Sequence, residues 1–308
     1  MENKSPKSIL ITGSNGLLGQ KLIKFLSKKE AYNIYGVSRG ENRIKNKDTF
    51  TYFDIDLTDS DKLISLIDKI QPDVIFNTAA MTNVDQCELD HEACDRINVE
   101  MVKTLADSCK KNDIHLVHIS TDFIFNGEKG YYREDDQPDP VNYYGLSKLR
   151  SEQIVIGAGI RFTILRTILV FGITDELKNN IVLWVINSIR NKQTINIVTD
   201  QLRMPTLVDN LANACIYAYE NDVTGVFHIS GSELLSIYDI ALAVADSFEL
   251  DKSFINPIPT SELSQPAKRP PLTGFDLNKS ITSLNLHPVS FKESLQLFKK
   301  QLLSTGFE

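Results

Sequence analysis

Three glycines, each three residues from the next, constrain the fold of this chain more than any other feature. Gly13, Gly16 and Gly19 follow a short apolar run, Ser8–Thr12, and overlap the start of an amphipathic segment, Leu17–Lys28. A glycine-rich turn between a strand and a helix lets a pyrophosphate approach the backbone at a helix N-terminus. The alternative is a purely structural turn. We therefore predict a dinucleotide site here, made by Gly13, Asn15, Gly16, Leu17 and Gly19.

Strand-like and helix-like segments alternate from this turn as far as Arg166. The further predicted strands are Asn33–Val37, Thr51–Asp54, Asp73–Asn77, His115–Ser120 and Phe162–Arg166. The helices between them are Ser60–Ile70, Asp95–Lys111 and Tyr144–Ile156. Such alternation predicts an α/β fold of the Rossmann type, a doubly wound parallel sheet with helices on both faces.

The rhythm loosens after Arg166. Helix-like segments follow at Ile181–Ile189, Leu207–Tyr219, Ile237–Phe248 and Phe291–Leu303. The stretch Asn256–Pro271 is rich in proline and is expected to be irregular and exposed or ligand-facing. We predict an NAD(P)-binding Rossmann domain over residues 1–166, completed by parts of 195–231. A smaller, mixed α/β substrate-binding lobe is expected over residues 167–308.

Composition excludes several classes of function. The 308 residues carry a formal net charge of −7, which argues against a nucleic-acid partner, and no apolar run approaches the length of a membrane span. The polar first residues show no signal peptide, so we expect a cytoplasmic protein. The four cysteines form no CxxC pair and are expected to be buried. His91-Glu92 lacks the second histidine of a zinc helix, so we predict no catalytic metal.

The residues after the second and third predicted strands concern the choice of cofactor. Ser38-Arg39 ends the second strand, and no acidic residue precedes Glu41. An arginine and a hydroxyl suit the 2′-phosphate of NADP, whereas an acidic residue would bind the ribose of NAD. We therefore predict NADPH and leave NADH open; a surface arginine in a loop is the alternative. The remaining predicted residues of the cofactor site are Asp56, Leu57, Ala79 and Ala80, together with Tyr144 and Lys148, of which the lysine would anchor the nicotinamide ribose.

A threonine, a tyrosine and a lysine form the predicted catalytic set. Thr121 directly follows the fifth predicted strand, and Tyr144 and Lys148, four residues apart, share one face of a helix. Reducing a ketone with hydride creates an alkoxide that a proton donor must quench. A phenol has a pKa near 10, which a close ammonium can lower, and a threonine hydroxyl can hold the carbonyl oxygen. A Tyr-xxx-Lys match arises easily by chance, but only Tyr144 has lysine four residues on.

These segments resemble the dTDP-4-dehydrorhamnose reductase family of the extended short-chain dehydrogenase/reductase superfamily over nearly the whole chain. The motifs that carry the resemblance are Ala79–Glu88, Ile97–Val99, Ser120–Gly127, Pro140–Lys148, Leu165–Thr167, Arg203–Thr206, Gly225–Gly231 and Arg269–Pro270. The resemblance implies reduction of a nucleotide-linked 4-keto-6-deoxy sugar, dTDP-4-dehydrorhamnose to dTDP-L-rhamnose, by Thr121, Tyr144 and Lys148. It allows a homodimer and Mg²⁺ at a contact between copies.

The same resemblance implies the residues around the substrate. They are Val84, Asp85, Glu88, Asp122, Leu169, Gln201, Arg203 and Arg269. For the charged ones, a solvated helix or loop charge is an equal alternative. Leu169 is a departure, because the family usually carries there a tryptophan that contacts the sugar. Trp184 lies in an apolar helical run and is expected to be core.

Three other functions remain open. A sugar-nucleotide 4,6-dehydratase shares the tyrosine and lysine, but usually has Asp-Glu after the threonine, where this chain has Asp122-Phe123. A 4-epimerase usually lacks the Ser-Thr-Asp segment. A non-catalytic NADP-binding subunit resembling the β subunit of methionine adenosyltransferase is the alternative outside enzymology.

Overall fold

The computed structural model describes residues 6–176 and 180–306. Its strands are β1 Lys7–Thr12, β2 Tyr32–Ser38, β3 Thr51–Asp54, β4 Val74–Asn77, β5 His115–Thr121, β6 Gly130–Tyr132, β7 Phe162–Thr167, β8 Val170–Phe171, β9 Ile195–Val198, β10 Leu202–Arg203, β11 Thr206–Leu207, β12 Gly225–Ile229, β13 Leu235–Ser236, β14 Ile255–Ile258 and β15 Leu272–Phe275. Its helices are α1 Leu17–Leu26, α2 Ser60–Ile70, α3 Val84–Leu89, α4 His91–Asp95, α5 Met101–Asn112, α6 Tyr143–Gly157, α7 Ile181–Arg190, α8 Val208–Glu220, α9 Ile237–Ser247, α10 Asn278–Ser283 and α11 Phe291–Leu303.

Within the described residues, seven parallel strands form the central sheet in the order β12-β7-β5-β4-β1-β2-β3. Side chains of a strand alternate between the two faces of the sheet, and both faces are apolar here. Ile9 and Ile11 pack in one cluster with α1 and α8, while Leu10 packs in another with α2 and α5. Helices therefore cover both faces, which confirms the predicted Rossmann-type fold.

The order of strands reverses between β1 and β4. β2 and β3 lie on one side of this point, and β5, β7 and β12 lie on the other. The loops that follow β1 and β4 consequently diverge and leave a crevice at the carboxyl ends of the strands. Gly13 lies in this crevice with φ +67°, and a Cβ on it would lie 2.9 Å from Cα of Ala79. Only glycine fits this position.

The later part of the chain adds smaller sheets and a separate apolar cluster. A four-stranded sheet has the order β13-β10-β15-β6, and two pairs, β11-β8 and β14-β9, stand beside it. Phe171, Phe291 and Phe298 pack in the apolar cluster with residues of α7 and α9. Trp184 packs against the same cluster and is half-buried. This part of the chain stands over the carboxyl ends of the central strands through β8, which directly follows β7.

Two sequence-based expectations were wrong in detail. Asn256–Pro271 was expected to be irregular, but its first residues belong to β14, where Pro257 pairs with Ile197 of β9. Proline is tolerated there because an outer strand leaves half of its N–H groups unpaired. The helix expected over Asp95–Lys111 starts earlier, at His91, and a π-helical turn, Arg96–Glu100, divides it.

The start of α6 is packed tightly against the segment that follows β5. Asn142 caps the helix, because its Oδ1 accepts a hydrogen bond from the N–H of Gly145 at 2.8 Å. A Cβ on Gly145 would lie 2.1 Å from the carbonyl oxygen of Phe123. Because glycine has no side chain, α6 can lie this close to the segment that follows β5.

We expect Gly145→Ala to lower the free energy of unfolding by about 1–3 kcal/mol, because the new methyl group must push α6 away from Phe123. Gly157→Ala, at the other end of the same helix, is the matched control, since a Cβ there meets nothing within 4 Å. The control should be neutral or stabilising by up to about 1 kcal/mol. Urea denaturation of both variants measures the difference, and equal effects would contradict the packing argument.

Candidate functional site

A cavity of about 640 Å³ opens at the carboxyl ends of the central strands. The predicted site residues that line it are Gly16, Leu17, Ala79, Ala80, Val84, Thr121, Asp122, Tyr144, Lys148, Leu169, Gln201, Arg203 and Arg269. It therefore reaches from the first turn of α1 to the loops of the later part of the chain. The predicted residues outside its lining are Gly13, Asn15, Gly19, Ser38, Arg39, Asp56, Leu57, Asp85 and Glu88.

Sequence reasoning missed several residues of the lining. They are Leu18, Asn77, Thr78, Thr82, Ile119, Ser120, Phe123, Thr167, Val170, Leu211 and Ile237. Asn77 and Ser120 end predicted strands and Thr167 directly follows one, and that position was a usable signal. Leu211 and Ile237 come from α8 and α9, and nothing in the local sequence signals that these helices reach the cavity.

The glycine loop leaves the N-terminus of α1 open. Gly16 precedes the helix and offers no side chain to cap it, whereas Asp59 and Asn142 cap α2 and α6. A Cβ on Gly19 would lie 2.5 Å from the carbonyl oxygen of Gly13, so Gly19 allows the loop to fold against the helix. The first N–H groups of α1 can consequently bind a phosphate, as the sequence predicts.

Ser38 and Arg39 have different surroundings. Ser38 is buried, and its Oγ accepts hydrogen bonds from the N–H of Asn15 at 3.1 Å and from Ser14 Oγ at 3.3 Å. Ser38 therefore holds the glycine loop in place. The side chain of Arg39 is 83% exposed, with Nη1 3.6 Å from Oδ2 of Asp56. This loose ion pair leaves the guanidinium free to meet a phosphate, and hydrogen bonds from Thr58 lower the pKa of Asp56.

Thr121, Tyr144 and Lys148 all line one cavity. The hydroxyl of Thr121 donates to Oδ1 of Asp122 at 3.1 Å and accepts from the N–H of Phe123 at 3.2 Å. Burial raises the pKa of Tyr144, and a hydrogen bond with Thr121 opposes the rise. The phenol is thus a protonated donor that faces the cavity. It can lose its proton only with help from a nearby cation.

Lys148, one turn after Tyr144 on α6, is a cation that lines the same cavity. Its side chain is 2% exposed, and its Nζ lies 3.3 Å from Nε2 of His118. Burial lowers the pKa of Lys148 to about 8, although the negative charges of Glu152 and Cys94 oppose this shift. Because this pKa lies close to neutrality, small changes in the surroundings of the amine change its protonation.

Asp122 and Arg203 form a buried polar wall of the cavity. Thr121 and Thr273 both donate hydrogen bonds to the Asp122 carboxylate, and Nε of Arg203 lies 3.8 Å from its Oδ2. Arg203 also donates to the carbonyl oxygen of Pro270 at 2.7 Å. Burial raises the pKa of Asp122, while Arg203 opposes the rise. Both side chains are fixed by the protein itself.

Arg269 and Asp85 bind each other at the mouth of the cavity. Two parallel hydrogen bonds join Nη1 to Oδ1 at 2.6 Å and Nη2 to Oδ2 at 2.7 Å. The guanidinium holds the pKa of Asp85 below its usual range. This pair ties α3 to the proline-rich loop. Arg269 faces the cavity with its charge already compensated.

Glu88, Gln201 and Leu169 complete the predicted substrate residues. Glu88 accepts a hydrogen bond from the N–H of Tyr143 at 2.9 Å and so lies behind the cavity, at the start of α6. Gln201 donates to Thr260 Oγ1 at 3.0 Å. Leu169 lines the cavity with φ +40°, a left-handed conformation that is strained for leucine.

The described residues hold no group of three or more histidine, cysteine, aspartate or glutamate side chains that could bind a metal ion. Over the same residues, no helix has both the length and the apolar character that crossing a membrane requires.

All four cysteines are buried, as predicted, and so are His115, His118 and His228.

A dinucleotide crevice that continues into a cavity lined by threonine, tyrosine and lysine defines the class of the extended short-chain dehydrogenases/reductases. Comparison with known proteins then places the chain more narrowly. Residues 7–304 match the family model of the RmlD substrate binding domain, and the chain belongs to this family. This agrees with the family predicted from the sequence motifs.

Three similar proteins illustrate the functions found among the relatives of this chain. The chain is 31% identical over 300 residues to the dTDP-4-dehydrorhamnose reductase of Aggregatibacter actinomycetemcomitans, which covers 94% of this chain and 97% of that protein. The solved dTDP-4-dehydrorhamnose reductase of Bacillus anthracis, in complex with NADP, superposes with a TM-score of 0.86 at 28% identity and covers 96% and 99% of the two chains. The methionine adenosyltransferase 2 subunit beta of Rattus norvegicus is 30% identical over 306 residues, 96% of this chain and 89% of that protein.

We expect Lys148→Met to raise the free energy of unfolding by roughly 1–3 kcal/mol at pH 7, because it removes a buried charge. The destabilising effect of the lysine has its full size below the folded pKa of about 8, because there the amine is protonated in both the folded and the unfolded state. Its cost disappears as the pH rises past the ordinary pKa of lysine. Chemical denaturation of both proteins at a series of pH values measures this, and an advantage that did not shrink above pH ~10 would contradict it.

Proposed function

We propose that the protein is an NAD(P)H-dependent oxidoreductase that reduces the 4-keto group of a nucleotide-linked 6-deoxy sugar, converting dTDP-4-dehydrorhamnose to dTDP-L-rhamnose. The observation that carries the proposal is that Thr121, Tyr144 and Lys148 line one cavity with Gly16 of the glycine loop. The reductase of Aggregatibacter actinomycetemcomitans, at 31% identity over nearly the full length, supports this substrate.

The residues of this chain have complementary roles in the reaction. The reduced nicotinamide supplies a hydride to the carbonyl carbon. Tyr144 gives its phenolic proton to the developing alkoxide, and Lys148 stabilises the phenolate that remains. Thr121 holds the carbonyl oxygen with its hydroxyl hydrogen, which it must first turn away from Asp122. Removal of water from this cavity strengthens each of these interactions.

The residues near the glycine loop fit NADPH. The open N-terminus of α1 suits a pyrophosphate, and the exposed guanidinium of Arg39 suits a 2′-phosphate. The NADP in the reductase of Bacillus anthracis supports this choice. No acidic side chain follows β2 before Glu41, so the usual partner of the NAD ribose is missing from the sequence.

One observation favours a second function. The chain is as similar to the methionine adenosyltransferase 2 subunit beta as to the reductases, at 30% identity over 96% of its length. Under this alternative the chain binds a dinucleotide and a partner protein and catalyses no reduction. A cavity that brings the threonine, tyrosine and lysine together argues for the reductase.

We expect Tyr144→Phe to lower kcat for dTDP-4-dehydrorhamnose by about 10²–10⁴-fold, because it removes the proton donor. NADPH affinity should change little. Tyr143→Phe is the matched control, since that phenol lies outside the cavity and binds Asp95. Absorbance of the reduced nicotinamide follows the reaction, and calorimetry measures cofactor binding. NADPH binding by the wild-type chain without oxidation would favour the binding-protein alternative.

Arg39→Gln should raise the KM for NADPH about 10-fold and leave the KM for NADH unchanged, because the lost contact is a charge-assisted hydrogen bond to the 2′-phosphate. Arg161→Gln serves as the control. That arginine pairs with Asp113 and Asp222 near the start of β7, at the opposite end of the strands. An equal rise in KM for NADPH and NADH would show that Arg39 does not bind the 2′-phosphate.

A further inference from the structure

A row of buried polar side chains runs along the cavity wall, from the end of β1 to α6. Thr12 and Asn77 end β1 and β4, His118 lies in the middle of β5, and Ser151 and Lys148 lie on α6. Each of the five is at most 2% exposed. Buried polar groups of this kind are costly unless their hydrogen bonds agree in direction. The direction of each bond can therefore be worked out.

The bonds at the Asn77 end show which ring nitrogen of His118 lacks a proton. Thr12 Oγ1 accepts from the N–H of Ala79 at 3.4 Å, so its own hydrogen goes to Oδ1 of Asn77 at 2.6 Å. The amide nitrogen Nδ2 of Asn77 then faces Nδ1 of His118 at 2.9 Å. Because the amide nitrogen can only donate, Nδ1 must accept and carries no hydrogen.

The bonds at the Ser151 end give the same answer independently. Ser151 Oγ donates its hydrogen to the carbonyl oxygen of Lys148 at 2.7 Å. It lies 3.0 Å from Nε2 of His118 and can only accept there. The hydrogen of a neutral His118 is consequently on Nε2. Burial and the charge of Lys148 both lower the pKa of His118, so the ring stays neutral.

This tautomer matters because the same Nε2 lies 3.3 Å from Nζ of Lys148. An N–H group cannot accept a hydrogen bond from an ammonium. The protonated lysine therefore gains nothing from its histidine neighbour and must find its acceptors in the cavity. The neutral amine, in contrast, can share the Nε2–H hydrogen with Ser151 Oγ as a second acceptor.

The other charged groups near Lys148 either favour its protonated form or have their own charge balanced by a partner. Glu152 follows on the next turn of α6, but its carboxylate is bound by Arg166 through hydrogen bonds of 2.7–3.2 Å. Cys94 of α4 adds a smaller favourable interaction with the cation. Tyr144, one turn earlier, is a neutral phenol, because burial raises its pKa. Among the described residues, His118 is thus the one side chain within hydrogen-bond distance of the amine.

We propose that His118 is a positioning residue for Lys148: Asn77 holds its imidazole as the Nε2–H tautomer, which turns the hydrogen bonds of the lysine towards the cavity. The inference rests on the proposed function for the use made of Lys148. The row Thr12-Asn77-His118 also connects the catalytic lysine to β1, directly before the glycine loop. The loop that is placed to bind the cofactor and the amine that serves the reaction are thereby fixed by one set of bonds.

The tautomer can be observed directly in the protein without any ligand. Long-range ¹H–¹⁵N correlation spectra of the ¹⁵N-histidine-labelled chain distinguish the two tautomers and the charged ring, and His118→Asn assigns the signal. We expect His118 to be the Nε2–H form. A wild-type spectrum that shows the Nδ1–H form or the charged ring overturns the proposal, whatever the variants do.

Asn77→Asp should reverse the tautomer. A carboxylate at that position can only accept, so it would draw the hydrogen to Nδ1 and leave Nε2 as an acceptor for the Lys148 ammonium. We expect the titration midpoint of Lys148, followed with ¹³Cε-labelled lysine and assigned with Lys148→Met, to rise by about 1 pH unit or more. His115 is an internal control, because it lies on the same strand but binds Thr163 and should keep its spectrum.

Two results would decide the matter. A reversed tautomer supports the positioning role if the lysine midpoint rises in Asn77→Asp but not in Asn77→Asp combined with His118→Phe, because a rise that persists without His118 comes from the new carboxylate alone. A reversed tautomer with an unchanged midpoint overturns it. Neither result depends on turnover, so a chain that fails to reduce any keto sugar would refute the proposed function and leave this test intact.

Discussion

Close contact between backbones that carry no side chains is the constraint on which the rest of the structure depends. Gly13 touches Ala79 where the strand order reverses, Gly19 touches Gly13, and Gly145 touches Phe123. The first two contacts bring α1 to the crevice with its N-terminus uncovered. The third places α6, with Tyr144 and Lys148, at the end of β5. The cavity exists because these three approaches are shorter than any side chain would allow.

Much of this arrangement could be predicted from the sequence because it depends on local spacing. The glycine loop, the strand endings and the four-residue separation of Tyr144 and Lys148 each follow from one segment of chain. Because all strands of the central sheet are parallel, their carboxyl ends lie along one edge. Residues predicted separately at the ends of several strands therefore meet in one site. The family comparison agrees with that reading.

What could not be predicted depends on contacts between distant segments. Asp85 and Arg269 are 184 residues apart, and only the fold shows that they bind each other. The π-helical turn near Asn98 accompanies bonds from its side chain to Met81 and Ser147, which no local pattern reveals. His118 lies in an apolar strand, and nothing in that local sequence indicates a role at the site. Its position beside Lys148 depends on how α6 packs on β5.

Leu169 shows what the lining of such a cavity demands of its backbone. Its φ of +40° places the chain in a region that residues branched at Cβ adopt only with great difficulty. Valine, isoleucine and threonine are therefore poorly suited to this wall, whereas glycine, asparagine and unbranched or aromatic side chains remain available. Glycine would relieve the torsional strain but would remove the apolar surface. The backbone conformation thus limits which residue types can line the cavity at position 169, whatever ligand binds there.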